Sequence, residues 1–136
     1  RARYPNLPTP VRLAALDSVP VAFVAAGPSA THCLAGAADG RLFTWGRNER
    51  GQLGLGDLRQ RNAPTVVGGL LAGKKAVAAA GGKSHSLVAV EGGEAFAFGS
   101  NTQGQLGLGS IIGYLAAGIG IGPWGLGLVN LVTPWC

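Results

Sequence analysis

Apolar positions along this chain come in short runs separated by turn formers, and no run keeps the helical spacing of three and four over a helix's length. Val19 to Ala26 is such a run, bounded by Pro20 near its start and by Gly27-Pro28 at its end, and it predicts a buried strand. Thr31 to Ala35 predicts a second strand, Ala38-Asp39-Gly40 a turn, and Leu42 to Trp45 a third strand ending at Gly46. A polar link to Pro64 then leads to Thr65-Val66-Val67, a short fourth strand. Together these make a four-stranded antiparallel meander. Ahead of it, the prolines at 5, 8 and 10 predict an extended lead-in with no chemistry of its own.

The pattern then repeats. Gly51-Gln52-Leu53-Gly54-Leu55-Gly56 recurs letter for letter as Gly104-Gln105-Leu106-Gly107-Leu108-Gly109, and a shift of 53 (His85 minus His32) lays Val24–Asp57 on Val77–Ser110 without a gap. The same shift pairs Val24-Ala25-Ala26 with Val77-Ala78-Ala79, Leu34 with Leu87, Phe43 with Phe96, Trp45 with Phe98, Gly46 with Gly99 and Asn48 with Asn101. A period of about fifty residues carrying four short strands is the length of one β-propeller blade. A blade cannot bury both of its faces alone, so two blades belong to a longer propeller or are held by a partner. We divide the chain into a lead-in at 1–18, a first repeat at 19–67, an incomplete second repeat at 68–110 and an uncharged apolar tail at 111–136.

Composition agrees with this reading. With 24 glycines and 8 prolines in 136 residues the chain is poorly suited to helices, and 47% hydrophobic against 12% charged residues excludes disorder by composition. Eleven Lys or Arg against six Asp or Glu give a formal charge of +5, which favours an acidic partner surface or phosphates. Two cysteines, Cys33 and Cys136, are too few for a disulfide framework, and there is no Asn-x-Ser/Thr acceptor, so an intracellular, reducing compartment of nucleus or cytoplasm is expected. No secretory signal is visible in the first residues, and the missing initiator Met points to a fragment. The tail mixes Ile, Leu, Val and Trp with six glycines and two prolines; Pro123 and those glycines weaken it as a membrane helix, and its abrupt change of composition suits an aberrant terminus.

His32-x-Leu34, then Gly40-Arg41-Leu42-Phe43-Thr44-Trp45-Gly46-x-Asn48-x-x-Gly51-Gln52-Leu53-Gly54-Leu55-Gly56-Asp57, resembles the repeat of the regulator of chromosome condensation family, and the second copy repeats the resemblance. The lead-in Arg3-Tyr4-Pro5-Asn6-Leu7 and the run Trp45 to Gly51 resemble the family's second paralogue most. The resemblance implies an all-β, incomplete β-propeller: about two four-stranded antiparallel blades of a seven-bladed whole. It also implies protein partners, a small GTPase or chromatin- and microtubule-associated proteins among them, with no small-molecule substrate. The function so implied is a protein-interaction scaffold within a large assembly; the alternative is part of a guanine nucleotide exchange factor. That activity belongs to a complete propeller, and the chain shows no insertion to match the wedge of the founding member.

Candidate chemistry is sparse. Gly68-Gly69-Leu70-Leu71-Ala72-Gly73-Lys74-Lys75 approaches a phosphate-binding loop, but Lys75 stands where the metal-coordinating hydroxyl belongs. His32-Cys33 is answered by His85-Ser86, and a metal or nucleophile pair would not lose its thiol between copies, so His32 and His85 read as framework residues bonding nearby backbone. No catalytic, cofactor-binding or metal-binding residue is assigned, and no cofactor. Features common to both copies serve the repeat: His32, Trp45, Gly46, Asn48, Gly51, Gln52 and Gly54, and in the second copy His85, Phe98, Gly99, Asn101, Gly104, Gln105 and Gly107, with the Asn and Gln side chains capping the loops. Partner binding should lie where the copies differ: Arg47 against Ser100, Glu49 against Thr102, Arg50 against Gln103, and Arg59 and Arg61 beyond the loop.

Overall fold

The computed structural model describes residues 4–108. Within them lie seven strands: β1 (Val21–Ala25), β2 (His32–Ala37), β3 (Leu42–Gly46), β4 (Arg61–Val66), β5 (Ala76–Gly81), β6 (His85–Val90) and β7 (Ala95–Gly99). Two single 3₁₀ turns, Ala14–Leu16 and Gly69–Leu71, precede β1 and β5. The strands form two antiparallel sheets in sequence order, β1-β2-β3-β4 and β5-β6-β7. The fold is all-β, two adjacent blades of a propeller, the second represented by three strands among the described residues. The expectations for the tail, with Cys136, and for Gly109 and Ser110 lie outside those residues.

Strands β2 and β6, and likewise β3 and β7, start and end 53 residues apart. The first strands do not keep that spacing. Val21 pairs with Ala37 and Val24 with Ala35, whereas Ala76 pairs with Val90 and Ala79 with Val88, a shift of 55 (76 minus 21). Both strands carry the same bulge, between Val21 and Phe23 and between Ala76 and Ala78. The gapless overlay of Val24-Ala25-Ala26 on Val77-Ala78-Ala79 is therefore corrected: Val24 corresponds to Ala79, because the connection into β6 is two residues shorter than that into β2.

Strand β4 also begins earlier than its apolar residues indicate. Thr65 pairs with Thr44 but Arg61 with Gly46, so residues 62–64 bulge, and Pro64, which has no N–H to offer a ladder, sits within that irregularity on an edge strand.

The middle of the first sheet carries buried side chains on both faces, and β2 is buried almost throughout instead of alternating. One face, with Leu34 and Leu42, packs against Ala76, Val88 and Val90 of the second sheet and Val67. On the other face Ala35, Ala37 and Phe43 are met by Leu16 and Val19 of the lead-in. The joint is extended by a backbone bond from the Ala76 N–H to the Gly40 carbonyl, 2.9 Å.

The two Gly-Gln-Leu-Gly loops share one backbone. Gly54 and Gly107 have φ of +69° and +72°, in the left-handed region that glycine tolerates. They differ in surroundings: a Cβ on Gly54 would lie 2.8 Å from the Phe98 ring, whereas one on Gly107 would have no neighbour within 4 Å. Gly107→Ala should cost the backbone strain alone, about 1 kcal/mol. Gly54→Ala adds overpacking at the joint, for a total of about 2–4 kcal/mol. Urea unfolding midpoints of the two variants check this ordering.

Candidate interaction face

The loop from Arg47 to Asp57 is held by its own amides. The Leu53 N–H donates to Asn48 Oδ1 (3.0 Å) and the Arg50 N–H to Gln52 Oε1 (2.8 Å). In the second copy the Leu106 N–H donates to Asn101 Oδ1 (3.1 Å) and the Gln103 N–H to Gln105 Oε1 (2.8 Å). Asn48 is buried and its Nδ2 also donates to the carbonyls of Asp57 (3.1 Å) and Arg59 (2.9 Å), which ties the loop to the chain leaving it.

Asp57 is the anchor of that exit. Arg61 meets it with two parallel bonds, Nη1 to Oδ1 at 3.1 Å and Nη2 to Oδ2 at 2.9 Å, and the Arg59 N–H donates to Oδ1 at 2.9 Å. The Arg61 bonds, followed by the Arg59 amide, hold the Asp57 carboxyl at a pKa of about 2. The same pairing raises Arg61 above its ordinary value. Arg61 is 22% exposed and also donates to the Arg59 carbonyl at 2.7 Å, so its guanidinium closes the loop and is not offered outward.

The other four candidates are outward-facing. Arg47 Nε stands 2.6 Å from Glu49 Oε1, both side chains more than half exposed. The Arg59 side chain is 81% exposed, its guanidinium 3.7 Å from Asp57. Arg50 is exposed and has no ion-pair partner among the described residues. Arg47 and Glu49 share with Tyr4, Leu58, Gln60 and Asn62 the wall of an open, mainly polar hollow of about 700 Å³. In the second copy the positions of Arg47 and Glu49 hold Ser100 and Thr102, whose hydroxyls lie 3.4 Å apart. The loop backbone is thus the same whether that pair is charged or neutral.

A second constellation lies between the blades, and sequence reasoning did not single out its central residue. The Ser86 hydroxyl donates to the Gln52 carbonyl (2.7 Å) and accepts from His32 Nε2 (2.7 Å), which fixes the Nε2–H tautomer of His32. His32 therefore bonds a hydroxyl of the next blade, not the nearby backbone expected for it. All three residues are buried. Burial, and then the positive field of His85, lower the His32 pKa. Burial raises that of Cys33, which occupies the Ser86 position of the first blade. The one available signal was that difference, Cys33 against Ser86, between otherwise matching copies.

The segment 68–75 is an exposed 3₁₀ turn and loop in which Lys74 pairs with Glu94 (2.9 Å) and lies over the Phe96 ring. Among the described residues no three His, Cys, Asp or Glu side chains are grouped so as to hold a metal, and no helix is long and apolar enough to cross a membrane.

Comparison with known proteins agrees with this architecture. Profiles of the regulator of chromosome condensation (RCC1) repeat match residues 39–89 and 75–105. The human protein RCC2 is 46% identical over 105 residues, covering 77% of this chain and 20% of that protein, so the chain spans about a fifth of its relative's length. Among solved structures, human WBSCR16 superposes with a TM-score of 0.56 at 30% identity, over 60% of this chain and 20% of that one. Prp20p from Saccharomyces cerevisiae, reported with its binding properties to Gsp1p and histones, gives a TM-score of 0.50 at 26% identity, over 62% and 20%.

The joint and the loop anchor titrate with the same sign. His32 has a depressed pKa when folded, so the unfolded chain binds more protons and stability falls as the pH drops below about 6.5. Asp57 adds a second loss between about pH 4, the unfolded carboxyl value, and its folded value of about 2. Denaturant midpoints measured from pH 8 to pH 2 should decline in those two windows, and Ser86→Ala, which strands two buried partners, should cost about 2 kcal/mol or more at pH 8.

Proposed function

We propose that this chain, which belongs to the RCC1-repeat family and is similar to RCC2, is a protein-interaction element whose contact face is the rim of the first loop, formed by Arg47, Glu49, Arg50 and Arg59. One observation carries the reading. The two loops have the same amide bonds, yet the first places an ion pair and a free arginine where the second places Ser100, Thr102 and Gln103. A charge that the fold does not need at that position is available for recognition. Arg61, bonded twice to Asp57, supports this face from behind and is not itself a contact.

The partner this face suits is acidic. Among the described residues Arg50 has no carboxylate partner, Arg59 is only loosely associated with one, and the exposed Arg47–Glu49 pair exchanges cheaply for an incoming carboxylate, since such surface pairs contribute about 0–1 kcal/mol. A second reading, an exchange-factor part acting on a small GTPase, is favoured by the likeness to Prp20p and its reported binding to Gsp1p. It would work by binding the nucleotide-free GTPase more tightly than the nucleotide-bound state.

Binding of a fluorescent Glu- and Asp-rich peptide, followed by anisotropy, should weaken with rising salt. In the triple variant Arg47→Ala, Arg50→Ala, Arg59→Ala it should fall about tenfold or more and lose most of its salt dependence. Unchanged affinity and salt slope in that variant would sink the reading. Accelerated GDP release from a small GTPase in the presence of the chain would move the assignment to the second.

A further inference from the structure

Leu58 is an apolar side chain held in place without being packed. It lies in the connection between β3 and β4, is 65% exposed, and belongs to neither hydrophobic cluster of the two sheets. Its backbone, by contrast, is fixed on both sides. Asn48 Nδ2 donates to the carbonyls of Asp57 and Arg59, the Arg59 N–H donates to Asp57 Oδ1, and Arg61 clamps the same carboxylate. None of that bonding involves the Leu58 side chain, so a polar residue would serve the turn as well.

This leucine stands among the arginines of the rim. A Cβ on Gly51 would lie 3.8 Å from the Leu58 Cδ2 methyl, which puts the side chain beside the turn that follows Arg50. On its other side the next residue is Arg59, whose guanidinium is held only loosely, 3.7 Å from Asp57. Leu58 also shares the wall of the 700 Å³ hollow with Tyr4, itself 58% exposed. Gln60 and Asn62 lie on the same wall, and Gln60 Nε2 donates to Asn62 Oδ1 at 3.2 Å. That pairing leaves the Gln60 carbonyl oxygen and the Asn62 amide N–H groups for a peptide backbone.

An exposed leucine alone is ordinary. This one differs in that its backbone is already ordered, so covering it costs little further conformational freedom. It is also ringed by charged and polar groups, the surroundings in which a single apolar contact excludes water and dominates an interface. Arginines attract any acidic surface, and that attraction is screened by salt and selects weakly among acidic partners. An apolar contact between them adds the selection that charge does not supply.

Resting on the rim as the contact face, we propose that its partner is an acidic peptide segment carrying one large apolar side chain, which seats against Leu58 and the Tyr4 ring while flanking carboxylates meet Arg50 and Arg59. The arginines govern how fast such a segment arrives, and the leucine governs how long it stays. An acidic stretch with no apolar side chain binds and leaves readily. One with a leucine or phenylalanine between its carboxylates is retained.

Two fluorescent acidic peptides, alike except for a central leucine or a central glycine, test this by anisotropy with the full 136-residue chain. The leucine peptide should bind about tenfold more tightly. That preference should persist at salt concentrations that weaken both peptides. Leu58→Ser should remove the preference and leave the affinity and salt slope of the glycine peptide as in the wild type, whereas Leu58→Met should keep it. Tyr4→Ala should reduce it about threefold. Leu58 and Tyr4 are both more than half exposed, so the variants should keep their strand signal in circular dichroism. Equal affinity of the wild-type chain for the two peptides overturns the apolar contact. The rim itself still stands in that case if the glycine peptide binds with a salt dependence that Arg47→Ala, Arg50→Ala, Arg59→Ala removes. A leucine preference that persists in Leu58→Ser also overturns the proposal, because the apolar contact then lies elsewhere, residues 109–136 included. Binding of neither peptide overturns the rim and the apolar contact together.

Discussion

The hydroxyl of Ser86 is the point on which the two-blade arrangement depends. It is bonded on one side to the His32 ring and on the other to the carbonyl of Gln52, all three buried. Gln52 in turn caps the loop that places Arg47, Glu49 and Arg50 on the surface. Blade packing and the shape of the loop rim are therefore mechanically one structure. A change in the joint reaches the rim through a single residue's backbone, and the buried polar groups make that route costly to leave half-satisfied.

The exit of the same loop is fastened by charge. Asn48 bonds the departing backbone and Asp57 holds Arg61 by two bonds, so that β4 enters its sheet through a bulge containing Pro64. Two classes of arginine result within fifteen residues. Arg61 is neutralised and half-enclosed, while Arg50 and Arg59 leave their charge at the surface. A net charge of +5 is thus less informative than its distribution, because the arginine that contributes most to local order contributes least to the outward field.

Much of the architecture was legible in the sequence because β2 and β6, and β3 and β7, keep an unbroken spacing and are bounded by glycines at 46 and 99. The first strands were misaligned because alanine-rich stretches such as Ala78-Ala79-Ala80 fit several registers equally well, and only strand pairing shows the two-residue difference. The start of β4 was missed because Arg61-Asn62-Ala63-Pro64 carries no strand pattern; its pairing comes from Asp57 and Arg61, a tertiary effect. Ser86 was invisible for a different reason. Its partners belong to the preceding blade, so comparing copies position by position sets it against Cys33 and never against His32 and Gln52, which it touches.

That last point bears on how repeats diverge. A position inside a blade answers to its own sheet, but a position at a joint answers to the neighbouring copy, and the two copies here face different neighbours. Phe98 meets Gly54, while its counterpart Trp45 packs partly on Ala35, Ala37 and Phe43 and partly borders a hollow. The replacement of serine by cysteine and of phenylalanine by tryptophan therefore falls on a face whose covering, among the described residues, changes from a blade to the lead-in. Differences between copies consequently have two physical origins. Those at joints follow the identity of the adjoining surface, and those at loop rims, where the same amide bonds form around charged or neutral side chains, are left free by the fold.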